Sequence, residues 1–343
     1  MTSGLPTSGD IARLKQLLQG FQVTQALHVA ALLGLPDLVA VSGSRDLRSL
    51  AEESGVEPAI LSRLMRVLTG VGVFSEISPA RFRVTLMGEL LRPNAQHSLH
   101  GRAVLFGQDW IWRPWGELIR SIRDGTNAFD ELFGMPFFDF LENEAEACDI
   151  FDAALATGSR RRVELTSLYD FSDVRTLVDV GGGGGTLLAG ILEQRPDIQG
   201  KLIDRRRVLV QAEANMRRAK VLDRCELVDA DFFEWVPPEA DIYIMSQVLH
   251  DWDDESAVTI LNVCRRSMRA DSKLLIIERD GIMGSGSMQS SLSDLNVLVL
   301  LGGQERSVGD YERVLRIAKL EMQHVLHLRG GWIVLEVIVS RSL

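Results

Sequence analysis

Thr176-Leu-Val-Asp-Val-Gly-Gly-Gly-Gly-Gly185 decides the fold of this chain. A short apolar, β-branched run ends in five glycines, and Leu187–Gln194 then continues as a helix. Glycine lets the backbone turn tightly there and approach a ligand without a side chain in the way. The same alternation runs on toward the C-terminus. Lys201–Asp204, Cys225–Asp229, Asp241–Ser246 and Lys273–Glu278 read as buried strands, with helices over Val208–Ala219, Asp254–Met268 and Ser307–Lys319. Met322–Leu328 and Trp332–Val339 close as a hairpin. Alternating strands and helices predict an α/β fold, a doubly wound parallel sheet with an antiparallel end. Gly281–Ser293, rich in Gly and Ser, reads as a mobile loop.

Upstream the texture differs. Ile11–Leu33 repeats apolar residues at three and four, which predicts one helix stopped at Gly34 and Pro36. Short helices follow over Asp46–Gly55 and Ala59–Gly70, then two strands, Val71–Ile77 and Arg81–Thr85. Helices followed by a two-stranded wing make a winged-helix pattern. Its third helix offers only Arg63 and Arg66 to a nucleic acid, so a dimer contact is the better use. Between the two regions, Trp110, Trp112, Trp115, Phe129, Phe133, Phe137, Phe138 and Phe140 crowd into residues 110–140. Aromatic side chains dominate pockets for flat ligands, and Trp112 and Phe133 are taken as substrate-lining residues. The expected organisation is a mostly helical winged-helix domain over 1–100, a helical region over 101–165 that contributes to the substrate pocket, and a catalytic domain over 166–343.

Length and composition fit this plan: 343 residues predict about two domains. With 37 basic and 47 acidic residues the net charge is −10, which argues against nucleic acid or an anionic membrane as partner. The three cysteines, Cys148, Cys225 and Cys264, are widely spaced, so neither a zinc knuckle nor a disulfide framework is supported. Met1–Asp10 lacks the features of a signal peptide, and no apolar run approaches the ~20 residues of a membrane span. A cytoplasmic protein is expected.

Three ligand classes compete for the glycine loop. A triphosphate needs Gly-Lys-Ser/Thr, which is absent. A dinucleotide fingerprint is met at Gly181 and Gly183 but fails at Thr186. S-adenosylmethionine asks for an Asp before the glycines, an acid after the second strand and an Asp-aromatic pair after the third. Asp179, Asp204 and Asp231-Phe232 supply all three. Asp204 would accept from the ribose hydroxyls. Asp231 would accept from the adenine amino group, with Phe232 against the ring. Of six histidines, His250 alone follows the fourth strand at its carboxyl end, where doubly wound sheets place their ligands. A phenol needs a base near neutral pH, and an imidazole of ordinary pKa, about 6.5, is mostly neutral there.

From about residue 15 to its end the chain resembles the caffeate-type class of S-adenosylmethionine-dependent O-methyltransferases, the bacterial branch that tailors secondary metabolites. The carrying motifs are Leu177-Val-Asp-Val-Gly-Gly-Gly-Gly-Gly185, Asp231-Phe-Phe-Glu234, Val248-Leu-His-Asp-Trp-Asp-Asp-Glu255 and Asp294-Leu-Asn with Gly302-Gly-Gln-Glu-Arg306. The resemblance implies a homodimer and a Rossmann-like domain that binds S-adenosylmethionine and releases S-adenosylhomocysteine. The acceptor it implies is an aromatic small molecule, with a phenolic hydroxyl expected. It makes His250 the general base and Glu305 and Glu278 its orienting acids. Trp252 would pack on adenine, Ser246 and Ser159 would join the cofactor site, and Leu155 shares the helical face of Ser159. Asn296 and Asp251 would contact substrate, although Asp251 could equally cap the next helix. No metal is implied. Two departures stand out: Arg205-Arg206-Arg207 follows the ribose acid, read as a solvated run, and Ala318-Lys-Leu-Glu321 lacks the glycine that would end its helix. The competing readings are a cofactor-retaining relative turned to hydroxylation, decarboxylation or pericyclic chemistry, and a C- or N-methyltransferase.

Overall fold

The computed structural model describes residues 5–166, 169–281, 288–328 and 331–340, without the side chains of 156–166 and 289. The chain divides into two compact units: residues 1–112 with 153–157, and residues 113–152 with 158–343.

In the first unit the sequence between 8 and 32 forms two helices, Ser8–Leu18 and Gly20–Leu32, rather than the single one expected. The break falls at Gln19-Gly20, where glycine removes the side chain that would favour continuation. Thr7 and Asp10 start the first helix with a reciprocal capping box. Helices Leu35–Ala40, Leu47–Ser54 and Pro58–Gly70 follow, the last opened by Pro58 and capped by the Glu57 carboxylate. Three strands, β1 (Arg45–Asp46), β2 (Phe74–Ser78) and β3 (Arg81–Val84), pair antiparallel in the order β1-β3-β2. Leu35, Leu50, Leu61, Met65, Leu68 and Phe74 form the core beneath them. Helix Ser8–Leu18 buries none of its residues, and Ile11, Leu14, Leu17, Leu18 and, just beyond it, Phe21 are each at least 50% exposed.

The second unit carries the parallel sheet. Its strands are β4 (Thr176–Val180), β5 (Gln199–Asp204), β6 (Cys225–Asp229), β7 (Ile242–Ser246), β8 (Lys273–Arg279), β9 (Leu320–Leu328) and β10 (Trp332–Val339). They are ordered β6-β5-β4-β7-β8-β10-β9, with β4 to β8 parallel and β10 antiparallel to both neighbours. Each face is covered by its own apolar cluster, which explains the continuous apolar runs of the central strands. The chain leaves β4 toward β5 on one side and returns to β7 on the other. The strand order therefore reverses between β4 and β7, the crevice where such sheets bind ligands.

Two sequence expectations change here. Residues 282–287 of the Gly/Ser-rich segment lie outside the described residues, but Met288–Leu301 is a helix, so the second half of that segment is ordered. Helix Val308–Ile317 ends without glycine because Lys319 itself takes the left-handed conformation, at φ +58°. That conformation is strained for a side chain with a Cβ, by roughly 1–2 kcal/mol. Lys319 is exposed and its backbone stays hydrogen-bonded. Lys319→Gly is expected to stabilise the protein by roughly 1 kcal/mol and raise the melting temperature by about 2 °C, measurable by thermal unfolding.

Candidate active site

Two loops leave the carboxyl ends of β4 and β7 and meet at the switch point. Gly181 sits at φ +67°, and a Cβ on it would lie 2.9 Å from Val248 Cγ2 and 3.4 Å from the Phe232 ring. A Cβ at Gly182 would lie 2.8 Å from Asp179 Oδ2, a carboxylate buried beneath the loop. Gly183, at φ +57°, faces open space. Its amide donates to Asp204 Oδ2 at 2.8 Å, while Asp204 Oδ1 accepts from the Arg205 amide at 2.8 Å. Burial pushes the Asp204 carboxyl up to about 6 in spite of both amides. Asp152, which the sequence did not single out, is pushed to about 6 by burial and by the charge of Asp204.

An aromatic wall stands beside the loop. Phe232 and Phe233 stack with centroids 5.5 Å apart, and Trp252 meets Phe233 edge-on at 4.7 Å. Asp231 is exposed and accepts from the Phe233 amide at 2.8 Å. Phe138 reaches Trp252 at 5.8 Å from helix Phe137–Asn143. The arginines after β5 pin that helix: Arg205 donates to Asp139 at 2.6 Å, and Arg207 donates to the Glu142 carbonyl. The reading of this run as a solvated face is corrected for these two residues. They tie an aromatic-bearing helix to the end of β5.

His250 lies in a single turn of 3-10 helix, Leu249–Asp251, just past β7. The ring is buried, with Nδ1 3.3 Å from Glu305 Oε1 and Nε2 3.1 Å from Asp251 Oδ1. Ser293 donates to the same Glu305 oxygen at 3.1 Å, and Glu305 Oε2 is buried with no hydrogen-bond partner among the described residues. Burial alone would depress the imidazolium, but Asp251, Glu278 and Glu305 outweigh it and hold His250 at about 10. The expectation of a mostly neutral imidazole at neutral pH is therefore revised toward the charged form. Asp251 is itself raised to about 7, by burial and in spite of the nearby imidazolium. Glu305 is held below its ordinary range, because its bonds to His250 and Ser293 outweigh burial.

Glu278 does not reach the imidazole. Its Oε2 accepts from the Gln247 side chain at 2.7 Å, and its Oε1 accepts from the Val248 and Leu249 amides at 3.1 Å each. It fixes the backbone leading to His250, with Gln247 left-handed at φ +58°. Asp251 is not the cap of helix Asp254–Ser267; Asp253 is, accepting from the Ser256 amide at 2.8 Å.

The remaining expected positions scatter. Asn296 accepts from the Trp115 indole at 2.9 Å, and Asp294 accepts from the Glu305 amide at 2.9 Å. Phe133 stacks on Phe129 at 4.5 Å, under the Arg113 guanidinium. Trp112 and Leu155 fall in the first unit. Ser159 lies in helix Ala145–Thr166, with its side chain outside the described residues. Ser246 Oγ is buried at the end of β7 with no partner among the described residues. Among the described residues no group of His, Cys, Asp or Glu could hold a metal ion, and no helix is long and apolar enough to cross a membrane. Sequence reading missed Asp152, Ser293 and Arg306, although Arg306 stood in a motif already in view, and Phe138 was in view only as one of the aromatic cluster.

The loop fits an adenosine cofactor. It offers an open glycine cradle at Gly183, a carboxylate at the end of β5, an orphaned hydroxyl at Ser246 and an aromatic wall. Comparison with known proteins agrees. Residues 115–320 match the O-methyltransferase domain model, and residues 15–93 match the O-methyltransferase dimerisation domain. The phenazine O-methyltransferase of Lysobacter antibioticus is 36% identical over 94% of both chains. The aclacinomycin 10-hydroxylase of Streptomyces purpurascens is 33% identical over 88% of this chain and 82% of its own. An O-methyltransferase from neocarzinostatin biosynthesis, solved with S-adenosylmethionine and 2-hydroxy-5-methyl naphthoic acid, aligns with a TM-score of 0.81 at 28% identity over 92% of this chain and 95% of that one. With the cofactor cradle and both domain models in agreement, the chain belongs to the S-adenosylmethionine-dependent O-methyltransferases of bacterial secondary metabolism.

Proposed function

We propose that the protein methylates a phenolic hydroxyl of an aromatic secondary metabolite, with His250 taking the hydroxyl proton. The observation that carries this reading is the imidazole flanked by Asp251 and Glu305, one carboxylate on each ring nitrogen. Bound S-adenosylmethionine supplies a methyl group on a sulfonium that is already a good leaving group. The chain has two tasks left, alignment and removal of one proton. In its neutral form, His250 Nε2 would accept the phenolic proton as the methyl carbon leaves sulfur for oxygen, and Asp251 and Glu305 would stabilise the imidazolium that results. The neighbouring carboxylates raise the basicity of His250 toward that of a phenolate. Glu305 orients the ring directly, and Glu278 acts through the backbone before it. Asp204 receives the ribose hydroxyls, with Gly181 and Gly183 giving close approach above buried Asp179. Asp231, Phe232 and Trp252 receive adenine, and Ser246 and Ser159 belong to the same cofactor site. Asn296, Asp251 and Phe133 line the acceptor side.

His250→Ala is expected to keep S-adenosylhomocysteine affinity in calorimetry while methyl transfer falls by about 10²–10⁴-fold. A suitable probe is 3-amino-4-hydroxybenzoate, the acceptor named for a relative, because it offers both a hydroxyl and an amine. Labelled methyl on oxygen supports the reading. Methyl on nitrogen alone, or full turnover by His250→Ala, overturns it.

We also infer that the chain works as a homodimer joined through helix Ser8–Leu18. The apolar side chains of that helix find no cover among the described residues, and such a face marks a contact between proteins. Leu14→Glu with Leu18→Glu is expected to give a monomer by light scattering. A double variant that stays dimeric would place the interface elsewhere.

A further inference from the structure

The carbonyl groups of the turn carrying His250 have to be satisfied once they leave water, because a buried unpaired carbonyl costs as much as a lost hydrogen bond. A single neighbouring segment, Gly303–Arg306, satisfies three of them. Arg306 donates from Nη1 to the Leu249 carbonyl at 2.6 Å and from Nη2 to the Trp252 carbonyl at 2.8 Å. The Gln304 amide donates to the His250 carbonyl at 2.9 Å. Gly303 presses against the turn so closely that a Cβ on it would lie 2.2 Å from the His250 carbonyl oxygen. Arg306 is 1% exposed, and its Nε donates to Asp254 Oδ1 at 3.0 Å, at the start of the helix that follows the turn. The Asp254 side chain also accepts from Gln304 and Arg313.

The charged groups around this contact are few. Asp251, Glu278 and Glu305 act on His250. Arg306, Glu278 and Glu305 face the buried Tyr311 from the other side, and Arg279 acts on Glu305. The planar five-donor fork of arginine suits two backbone carbonyls and a carboxylate at once, and a lysine ammonium cannot span them.

We infer that Arg306 is a positioning residue for the methyl-transfer base: it locks the His250 turn onto Gly303–Arg306 and thereby keeps the imidazole against the Glu305 carboxylate. The inference rests on the reading of His250 as base and adds the device that holds it. Glu305 and Arg306 are neighbours in the chain, so one segment supplies both the carboxylate on Nδ1 and the clamp on the backbone that carries the ring. Without the clamp the turn relaxes, the ring leaves its carboxylates, and the imidazole returns toward ordinary basicity. Misplacing a reacting group by about 1 Å costs on the order of 10²-fold in rate.

The test is a titration of histidine resonances in full-length protein labelled with ¹³C at the imidazole and saturated with S-adenosylhomocysteine. His250→Gln assigns the His250 signal. Arg306→Lys keeps the positive charge, so a change in the midpoint reports geometry rather than net charge. The expected result is a His250 midpoint lower by at least one pH unit, with S-adenosylhomocysteine affinity within about threefold of the parent. Should Arg306→Lys not fold, Gly303→Ala separates the same two segments by a neutral change, with the same expected shift. An unchanged midpoint in whichever variant folds overturns the positioning role. The two readings fail separately: turnover of 3-amino-4-hydroxybenzoate by His250→Gln removes the base assignment, whatever the titration of Arg306→Lys shows.

Discussion

The imidazole of His250 lies between two carboxylates, with a third close enough to act on its charge. Burying charges is costly, and it is tolerated when every group finds a partner of opposite sign or a hydrogen bond. Here the partners come from three directions: Asp251 from the turn itself, Glu278 from the end of β8, and Glu305 from the segment after helix Met288–Leu301. Local geometry follows from this demand. Gln247 adopts a left-handed backbone that places its amide on Glu278, and the turn hands its carbonyls to the segment that also carries Glu305. The cluster sits where β4 and β7 diverge, so the topology that makes the crevice also brings His250 to its edge.

The chemistry gains from that arrangement and is constrained by it. Carboxylates on both ring nitrogens favour the charged form of His250 and keep a proton on it at neutral pH. The charged ring therefore predominates at neutral pH. The cofactor side has a similar economy. Asp204 and Asp152 are both raised, chiefly by burial.

Much of this was legible in the sequence because it lies in strand ends and glycines. Asp179, Gly181, Gly183 and Asp204 occupy the junctions expected from the strand pattern alone, and His250 follows its strand as read. What remained hidden depends on contacts between distant segments. Nothing in Glu278 or Glu305 says which of them reaches the ring; the pairing of Glu278 with the amides of 248 and 249 appears only once β7 and β8 are neighbours. The arginines at 205 and 207 looked solvated because their partners, Asp139 and Glu142, lie about 65 residues upstream. The single helix expected over 11–33 divides at Gln19-Gly20, because an apolar stripe does not record where the axis bends. Lys319 took a conformation usually left to glycine, at a helix end whose location was nevertheless expected.

On the proposed reading, a buried nest of carboxylates makes His250 a strong base that is protonated at rest. The most direct measurement is the pH dependence of the methyl-transfer rate of the wild-type protein at saturating S-adenosylmethionine. It is read on 3-amino-4-hydroxybenzoate or 1,4-dihydroxy-2-naphthoate, compounds named for related enzymes and their structures. Negative neighbours favour the imidazolium, so the neutral base accumulates only as pH rises, and the rate should climb through neutral pH with a midpoint well above 8. A rate already level at pH 7, with a midpoint near the ordinary 6.5 of an imidazole, would contradict the account.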